Sequence, residues 1–560
     1  MNIGTRISEG FGINLIERLS MVKKIYLLIG IVVVAFIIRF IFLGSIAPSL
    51  TWDEASWGYN AYSIGLDGRD EFGKFLPLTY LESFGDFKPP MYAYLDVLPV
   101  KLFGLTEFAT RFPSAFFGVL TVLLTYFLVK EVFGKEKEDL ALISAGVMAI
   151  SPWHIMLSRA AFEANVATFF ILLGVFLFLY ALRKKIIYLP LSVVSFVLAM
   201  YTFNSARIVV PILGIILCLA FYKKLIKNLK MSLLSLVIGV VIVLPVLLFM
   251  TSSQAKLRFN EVNIFTDIGI IDRANQEIKN DNGSSYSKLI HNRRLAYSIE
   301  YVHHYLDNLA PQFLFIKGDG NPKFSLQDVG QLYIWEIPFF VAGALMLFRK
   351  REKYWWIVPL WLVIGIIPAG FARETPHALR IESSLPTFQI LTAIGVYYLI
   401  KYLKDIKNKN LQKGAALLFS FVVLFNFIYF AQNYFSHYSY EFSGEWQYGY
   451  KESIAYVDSV EDRYNKIYIT ESLGRPYIYY LFYQQYDPLM FRKQADIFRE
   501  VFGFVHVKSY SKFNFTNTIS EIEDTQSLFI STPDEKPENA NVVKEFRLLN
   551  GHIALVAYTL

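Results

Sequence analysis

The stretch Thr51-Trp52-Asp53-Glu54-Ala55-Ser56-Trp57-Gly58-Tyr59 follows the first long apolar run of the sequence, which ends near Ala47. It places two adjacent carboxylates beside tryptophans, at the point where a membrane helix is expected to emerge into water. Thr51 and Glu54 have the Thr-x-x-Glu spacing of a capping box, which predicts a helix over 52–66. Glu54 therefore has a structural interpretation as a helix cap, next to its alternative as a second acid. The cap does not need Asp53.

The composition indicates that lipid rather than water surrounds much of the protein surface. Hydrophobic residues make up 54% of the 560 residues and charged residues 18%, whereas a soluble globular chain is about 45–50% apolar. The aromatic content of 17% suits belts at two membrane interfaces. In such a chain a net charge of +7 is no argument for nucleic acid. The single cysteine cannot form an internal disulfide.

Long apolar runs predict about eleven transmembrane helices, since a helix needs about 20 apolar residues to cross the hydrocarbon. The runs are 25–45, 109–129, 140–157, 164–182, 186–203, 207–222, 231–250, 332–349, 354–371, 379–400 and 414–432. The residues Asn204-Ser205 form a tight turn between the fifth and sixth runs.

Basic residues agree with this count, because cytoplasmic loops carry an excess of Lys and Arg. With a cytoplasmic N-terminus, every basic cluster between the runs falls on the cytoplasmic side. The clusters are Lys23-Lys24; Lys130, Lys135 and Lys137; Arg183-Lys184-Lys185; Lys223, Lys224, Lys227 and Lys230; Arg349-Lys350-Arg351 with Lys353; and Lys401, Lys404, Lys407, Lys409 and Lys413. The pattern predicts an integral protein of the plasma membrane whose segments 46–108, 151–163, 251–331 and 372–378 are external.

The sequence changes character after residue 432. Short β-rich runs at 466–470, 527–531 and 552–556 alternate with helical periodicity at 448–460 and 488–501. We therefore predict an α-helical polytopic membrane domain, 1–432, followed by an extracytoplasmic α/β domain, 433–560. Within the first external segment, 91–103 is apolar enough to be an amphipathic helix at the interface. Phosphate-binding glycine loops, dinucleotide fingerprints and zinc-ligand spacings are absent from the sequence, which argues against a nucleotide-sugar enzyme or an ATP-driven pump.

Two external positions have the residue types of a site for phosphate and proton transfer. Asp53, in the first turn of a predicted helix, is favoured as a carboxylate by the helix dipole and can accept a proton from an attacking hydroxyl. The alternative is a solubilising acid at the membrane surface. Lys88 of Lys88-Pro89-Pro90 precedes a helix N-terminus, where a cation is disfavoured unless a phosphate binds there. Its alternative is a surface lysine near lipid headgroups.

Two further pairs of residues each have a functional interpretation and a structural alternative. Arg159 and Glu163, four residues apart, either form an ion pair on one helix face or line the external cavity, Arg159 as a cation that binds the substrate phosphate and Glu163 as a second acid. His377 and Arg380, three apart, are candidates for holding a phosphate, for which arginine has the right shape. Alternatively, Glu374 or Glu382 neutralises Arg380.

Three remaining stretches have mainly structural interpretations. Thr375 is a candidate cap, and Pro376 a candidate first residue, of the next helix. His154 is expected to pack or donate a hydrogen bond rather than bind metal. The corner 201–207 is either an interfacial turn or a polar wall of the cavity.

Six motifs occur in an order that resembles the membrane-embedded C-type glycosyltransferases, in particular bacterial relatives of protein O-mannosyltransferase and of the lipid A aminoarabinose transferase. They are Asp53-Glu54, Lys88-Pro89-Pro90, Arg111-Phe112-Pro113-Ser114, Ser151-Pro152-Trp153-His154, Ser158-Arg159 and Pro376-His377-Ala378-Leu379-Arg380. The resemblance covers residues from about 25 to 400. The tail resembles the external α/β domain of some bacterial members much less specifically.

The resemblance implies a hexosyl- or pentosyltransferase that moves a sugar from a polyprenyl-phosphate carrier to an external glycan, lipid or protein. In that scheme Asp53 is the general base or orients the acceptor, Lys88 holds the carrier phosphate, Arg380 assists and Glu163 is a second acid. In the aminoarabinose enzyme an acid before the lysine helps bind a metal. Phe87 occupies that position here, with Asp86 offset by one, so we expect no metal and no cofactor, a divalent metal being the alternative.

Two other functions fit parts of the same pattern. A transporter or flippase of polyprenyl-linked lipid also needs a basic external cavity, but it does not need Asp53. An oligosaccharide ligase that uses pyrophosphate-linked donors is the second alternative.

Overall fold

Apolar helices dominate the computed structural model, which describes residues 4–256, 263–499 and 505–560, with side chains from Val22 onward. The helices of the first 256 residues are α1 (Gly4–Phe40), α2 (Trp52–Asp67), α3 (Met91–Phe103), α4 (Glu107–Phe133), α5 (Glu138–Ile150), α6 (Pro152–Ser158), α7 (Glu163–Arg183), α8 (Leu189–Thr202), α9 (Ala206–Ala220), α10 (Tyr222–Lys227) and α11 (Leu229–Met250). A two-stranded hairpin, β1 (Leu81–Ser83) and β2 (Asp86–Lys88), precedes α3.

The second part of the helical region begins after residue 263. Its helices are α12 (Ile268–Asn280), α13 (Ser285–Ile290), α14 (Arg293–Asp307), α15 (Glu336–Lys350), α16 (Ile357–Gly370), α17 (Thr387–Lys404) and α18 (Lys409–Gln432). A turn at 281–284 separates α12 from α13, where the sequence is rich in Asn, Asp, Gly and Ser. The predicted external segment 251–331 falls partly outside the described residues.

Several of these helices are suited to cross a membrane. Among the described residues, four are long and apolar enough: Glu107–Phe133, Glu163–Arg183, Leu229–Met250 and the run Lys409–Glu441. The pair Lys135–Ile150 and Pro152–Ser158, bent by 58°, is a fifth candidate. Side chains of α11 and α18 stay exposed although they are apolar, as lipid contact requires: Leu233, Leu236, Val240, Leu244, Leu417, Phe421, Leu424 and Phe425. The total of eleven spans stays a prediction.

The C-terminal region contains a seven-stranded mixed sheet. Its strands are β3 (Ile467–Thr470), β4 (Asp496–Arg499), β5 (Val505–Tyr510), β6 (Phe513–Thr516), β7 (Leu528–Ser531), β8 (Asn541–Arg547) and β9 (Ile553–Thr559), in the order β4-β5-β6-β3-β7-β9-β8. The central strand β3 runs parallel to β6 and β7, and the other pairs are antiparallel. Helices α19 (Tyr438–Glu441), α20 (Tyr450–Val460), α21 (Pro476–Tyr483) and α22 (Pro488–Gln494) accompany the sheet.

The C-terminal region packs directly on the loop between α1 and α4. One hydrophobic core contains Leu50, Ala55 and Tyr59 of that loop together with Tyr479 and Phe482 of α21. Polar contacts fix the same interface: the Tyr479 hydroxyl donates to the Leu50 carbonyl over 3.1 Å, and the Tyr59 hydroxyl donates to the Tyr486 carbonyl over 3.0 Å. The C-terminal region therefore packs against α2 and the residues just before it.

Three predicted helices differ from the structure. The run 140–157 is broken at Ser151, because Pro152 has no N–H for the helix ladder. No helix begins at Pro376: residues 371–386 fold back as an irregular segment, and α17 begins only at Thr387 after Pro386. The predicted helix 488–501 ends at Gln494, and the chain then forms strand β4, which pairs with β5.

Candidate functional site

Asp53 and Lys88 meet at the N-terminus of α2. Asp53 is the second residue of the helix and its side chain is 51% exposed, whereas that of Lys88, at the end of β2, is 10% exposed. The Lys88 ammonium and the Asp53 carboxylate form an ion pair. The same ammonium lies 5.4 Å from the Trp57 ring and 5.2 Å from the Phe84 ring. A lysine held between aromatic faces thus presents its charge to a carboxylate that reaches water.

Further acids surround the Lys88 ammonium. Its burial disfavours the charge, but the carboxylates Asp53, Asp86 and Glu163 outweigh burial and raise the pKa of Lys88 above its ordinary value. Glu163, the first residue of α7, is therefore within electrostatic range of the pair. Lys88 stays a cation at physiological pH, which is the state that a phosphate ligand needs.

Glu54 belongs to the framework rather than to this surface. The predicted capping box is present, with the Glu54 N–H donating to Thr51 Oγ1 over 3.2 Å and the Thr51 N–H donating to Glu54 Oε2 over 3.0 Å. Glu54 Oε1 accepts from Arg111 Nε and from the Ala161 N–H, both over 2.9 Å. Glu54 and Arg111 are almost fully buried. The geometry leaves Glu54 no free oxygen for a substrate.

Arg159 does not pair with Glu163 on one helix face, because α6 ends at Ser158 and α7 begins at Glu163. The Arg159 guanidinium is buried and donates to the carbonyls of Ile38 over 2.6 Å and Ile46 over 3.3 Å. It also donates to the Tyr434 hydroxyl over 3.2 Å. Arg159 therefore holds the end of α1 in place, and we assign it no role in binding the phosphate.

The predicted pair His377 and Arg380 lies in the irregular segment after α16. His377 Nδ1 is 4.0 Å from Asp319 Oδ2, and Arg380 Nη2 is 4.0 Å from Glu374 Oε2. Burial, together with the Arg380 charge, lowers the pKa of His377 to about 3. His377 is therefore neutral at physiological pH and can offer a phosphate a hydrogen bond but no charge. Glu374 is the neutralising neighbour that the sequence offered as the alternative for Arg380.

Asp319 is an acid that the sequence reasoning missed. It accepts hydrogen bonds from the Asn321 N–H over 2.8 Å and from the Ala378 N–H over 2.7 Å. Burial raises the pKa of Asp319 to about 6, although these bonds act in the opposite direction. A Gly-Asp-Gly turn of this kind carries no signal that distinguishes it from an ordinary loop.

Two other residues, which the sequence offered only within its alternatives, also lie near these acids. Arg207 is the second residue of α9; its Nη2 is buried without a hydrogen-bond partner in the described part of the chain, and Asp86 lies within its electrostatic range. This favours the cavity wall over the plain turn for the corner 201–207. Glu382 is fully buried, its carboxylate oxygens have no hydrogen-bond partner among the described residues, and it is within electrostatic range of Glu163. Through Glu382, the segment that contains Arg380 therefore comes within electrostatic range of Glu163, one of the acids near Lys88.

The remaining motif residue, His154, has a packing role. Its Nδ1 accepts a hydrogen bond from Arg39 over 2.7 Å, and the side chain is fully buried. Over residues 4–256, 263–499 and 505–560, no three His, Cys, Asp or Glu side chains are grouped to hold a metal ion. The absence of a metal and of a cofactor stays a prediction.

Known proteins resemble this chain in sequence over short segments. Residues 87–249 match the family described as dolichyl-phosphate-mannose-protein mannosyltransferase. An uncharacterized protein of Aquifex aeolicus is 32% identical over 179 residues, which are 30% of this chain and 36% of that protein. The putative mannosyltransferase YkcB of Bacillus subtilis is 35% identical over 103 residues, 18% of this chain and 14% of its own. The chain thus matches well under half of the length of these relatives.

The fold resembles a solved structure over nearly the whole chain. ArnT from Cupriavidus metallidurans in the apo state is 11% identical, with a TM-score of 0.53 over 94% of this chain and 97% of that one. Its structure bound to undecaprenyl phosphate gives a TM-score of 0.51 with the same coverage. The match includes the C-terminal region as well as the helical one. The chain is an integral membrane protein with the fold of the C-type membrane glycosyltransferases, and its resemblance to that superfamily is confirmed.

Proposed function

We propose that this chain transfers a sugar from a polyprenyl-phosphate carrier to an extracytoplasmic acceptor, which is a glycan, a lipid or a protein. The observation that carries the proposal is the ion pair between the buried Lys88 and the half-exposed Asp53. A proton acceptor and a phosphate ligand are thus in direct contact at the mouth of a membrane bundle. The mannosyltransferase relatives and the lipid phosphate bound to ArnT support the same donor chemistry.

The ion pair also links donor binding to the release of the Asp53 carboxylate. A donor phosphate that reaches Lys88 competes with Asp53 for the same ammonium. Once Lys88 binds the phosphate, the Asp53 carboxylate is free to accept a hydrogen bond from the acceptor hydroxyl. Binding of the donor and activation of the acceptor are thereby coupled through one lysine.

The reaction is a single displacement. The acceptor oxygen forms a bond to the anomeric carbon while the bond from that carbon to the phosphate oxygen breaks. The hydroxyl proton passes to Asp53, and polyprenyl phosphate leaves with its charge offset by Lys88, with Arg380 assisting. Glu163, at the edge of the pair, is the second acid of this scheme, and His377 adds a neutral hydrogen bond. A lipid phosphate leaves without a nucleotide, which agrees with the absence of nucleotide-binding motifs.

The test is a transfer assay with the full-length protein in membrane vesicles. Vesicles receive a polyprenyl-monophosphate-linked sugar, and release of polyprenyl phosphate is measured. Asp53→Asn should abolish release and leave the protein folded. The matched control is Glu107→Gln, another acid in the first turn of a helix that is paired with a lysine, Lys451, at 2.6 Å. Near-normal release by Asp53→Asn would remove Asp53 from the mechanism.

The same assay separates the alternatives. A flippase moves the labelled lipid across the vesicle membrane without breaking the sugar–phosphate bond, and Asp53→Asn leaves that movement intact. A ligase for pyrophosphate-linked donors releases polyprenyl pyrophosphate and ignores the monophosphate donor. Either result would contradict the proposal.

A further inference from the structure

A groove of about 670 Å³ runs along α14, away from Asp53 and Lys88. Its floor consists of the rings of Phe265, Tyr297, Tyr301 and Phe371. The ring centroids of Tyr301 and Phe371 are 4.6 Å apart, and those of Phe265 and Tyr297 are 5.4 Å apart. The Tyr297 hydroxyl donates to the Phe265 carbonyl over 2.9 Å. Contacts within the protein therefore hold the rings of the floor in place.

Two arginines form one rim of the groove. Arg293 and Arg294 are exposed, and within the described part of the chain neither side chain makes an ion pair or a hydrogen bond. The neighbouring Arg273 differs, because it pairs with Glu300 at 3.2 Å. The groove thus combines an aromatic floor with two positive charges that no described side chain pairs with, which suits an anionic ligand.

An exposed apolar stripe continues from the groove along α14. Its members are Leu295, Ile299, Val302 and Leu306, which are 39%, 47%, 50% and 53% exposed. Their spacing of four, three and four residues places them on one face of the helix. Solvent-facing helices seldom carry such a stripe unless a partner or lipid covers it.

The helix α14 lies beside α16, a short apolar helix that belongs to the predicted transmembrane run 354–371. The Tyr301 hydroxyl donates to the Ile367 carbonyl over 3.4 Å, and the Tyr305 hydroxyl donates to the Val363 carbonyl over 2.9 Å. The two contacts step down α16 from near its end at Gly370 toward its middle. The stripe therefore runs alongside the apolar helix α16, and the two arginines lie at the N-terminal end of α14.

We propose that this groove binds the phosphate headgroup of an anionic membrane lipid, whose acyl chains lie along the stripe. The charge of the rim selects the headgroup, and the stripe selects a molecule with an apolar tail. Interfacial helices with basic and apolar faces bind anionic lipid in this way. The site is separate from Lys88, and the proposal does not depend on the transfer reaction.

The test measures how the purified full-length protein retains lipid. The protein is prepared in detergent with phosphatidylglycerol or phosphatidylcholine, and bound lipid is counted by native mass spectrometry. Phosphatidylglycerol should be retained, and each arginine contributes about fivefold, so the double variant Arg293→Gln/Arg294→Gln loses roughly 25-fold in affinity. Arg273→Gln makes the same charge change outside the groove and should retain the lipid.

Two further results decide the nature of the site. Ile299→Glu leaves both arginines in place and should also release phosphatidylglycerol, because it puts a charge among the acyl chains. Unchanged retention by either the arginine or the isoleucine variant would overturn the proposal. Displacement of phosphatidylglycerol by millimolar inorganic phosphate would also overturn it, since the groove would then be a site for free anions.

Discussion

Asp53 and Glu54 are adjacent in the sequence and lie in opposite environments. Asp53 is half exposed beside Lys88, whereas Glu54 is 1% exposed and bonded to Arg111 at the core of the loop. The capping-box spacing alone separated the two, because the cap needs Glu54 and leaves Asp53 unused. The partner Arg111 could not be predicted, since it lies 57 residues away and no local pattern joins the two.

We expect Glu54→Ala to destabilise the protein. The substitution leaves the Arg111 guanidinium buried without its carboxylate, and removal of one partner of a buried pair costs roughly 3–5 kcal/mol. Thermal unfolding of the detergent-solubilised protein measures this. Asp53→Asn serves as the comparison and should change the free energy of unfolding by about 1 kcal/mol or less, because Asp53 is half exposed and the carboxylates of Asp86 and Glu163 remain near Lys88. Equal loss of stability in both variants would contradict the assignment.

Lys88 should be needed for the donor rather than for the fold. Lys88→Gln removes the cation from the phosphate site, and kcat/KM should fall by about 10²–10³, the usual cost of a lost charge-stabilising group. Lys88→Arg keeps the charge and should recover part of the activity, limited by the fit of the guanidinium between Trp57 and Phe84. The measurement is the dependence of transfer on donor concentration. Equal activity of the glutamine and arginine variants would show that charge at this position has no role.

At the scale of elements, long periodic segments agreed with the sequence and interrupted ones did not. Helices α2, α3, α4 and α7 follow the predicted runs closely. The break between α5 and α6 has a local cause in Pro152, whereas the irregular segment 371–386 was missed because burial of polar residues there is set by neighbouring helices. Trp361 Nε1, for example, donates to the Ser383 carbonyl over 2.8 Å from another helix. The location of Asp319 depends on such contacts, so no local pattern pointed to it, and the sequence offered Glu382 only as a neutralising neighbour of Arg380.

The loop between β3 and α21 touches the start of α2, and Gly474 makes this approach close. A Cβ on Gly474 would lie 2.7 Å from ring carbons of Trp52, next to Asp53. Gly474→Ala should push the loop from α2 and lower transfer about tenfold or more, because small misplacements of catalytic groups are costly. The control is Gly551→Ala, which has a similar positive φ of +91° and open space around its Cβ. If both variants lose activity equally, backbone strain rather than the contact with Trp52 is responsible.

Over the whole molecule, the charge pattern predicts a topology without any knowledge of the packing, and that topology stays a prediction. The fold agrees with a helical membrane region followed by a C-terminal sheet, and the C-terminal region contacts Leu50, just before α2, through Tyr479 and Asp67 of α2 through Arg492. The sequence predicted the sheet domain from its short β-rich runs. It did not predict that the domain would support the helix of Asp53, because that contact joins segments about 400 residues apart.

The predicted orientation of the chain in the membrane can be tested by labelling cysteines. The sheet domain should be extracytoplasmic, and the loop between α17 and α18 should be cytoplasmic, because the lysines of that loop follow the positive-inside pattern. We expect a cysteine at Asn550 to react with a membrane-impermeant maleimide on intact cells, whereas one at Lys407 reacts only after permeabilisation. Both positions are exposed. The substitutions are made in a Cys218→Ser background, since Cys218 is exposed as well. The reverse labelling pattern would place Asp53 and Lys88 in the cytoplasm and remove the extracytoplasmic acceptor from the proposal.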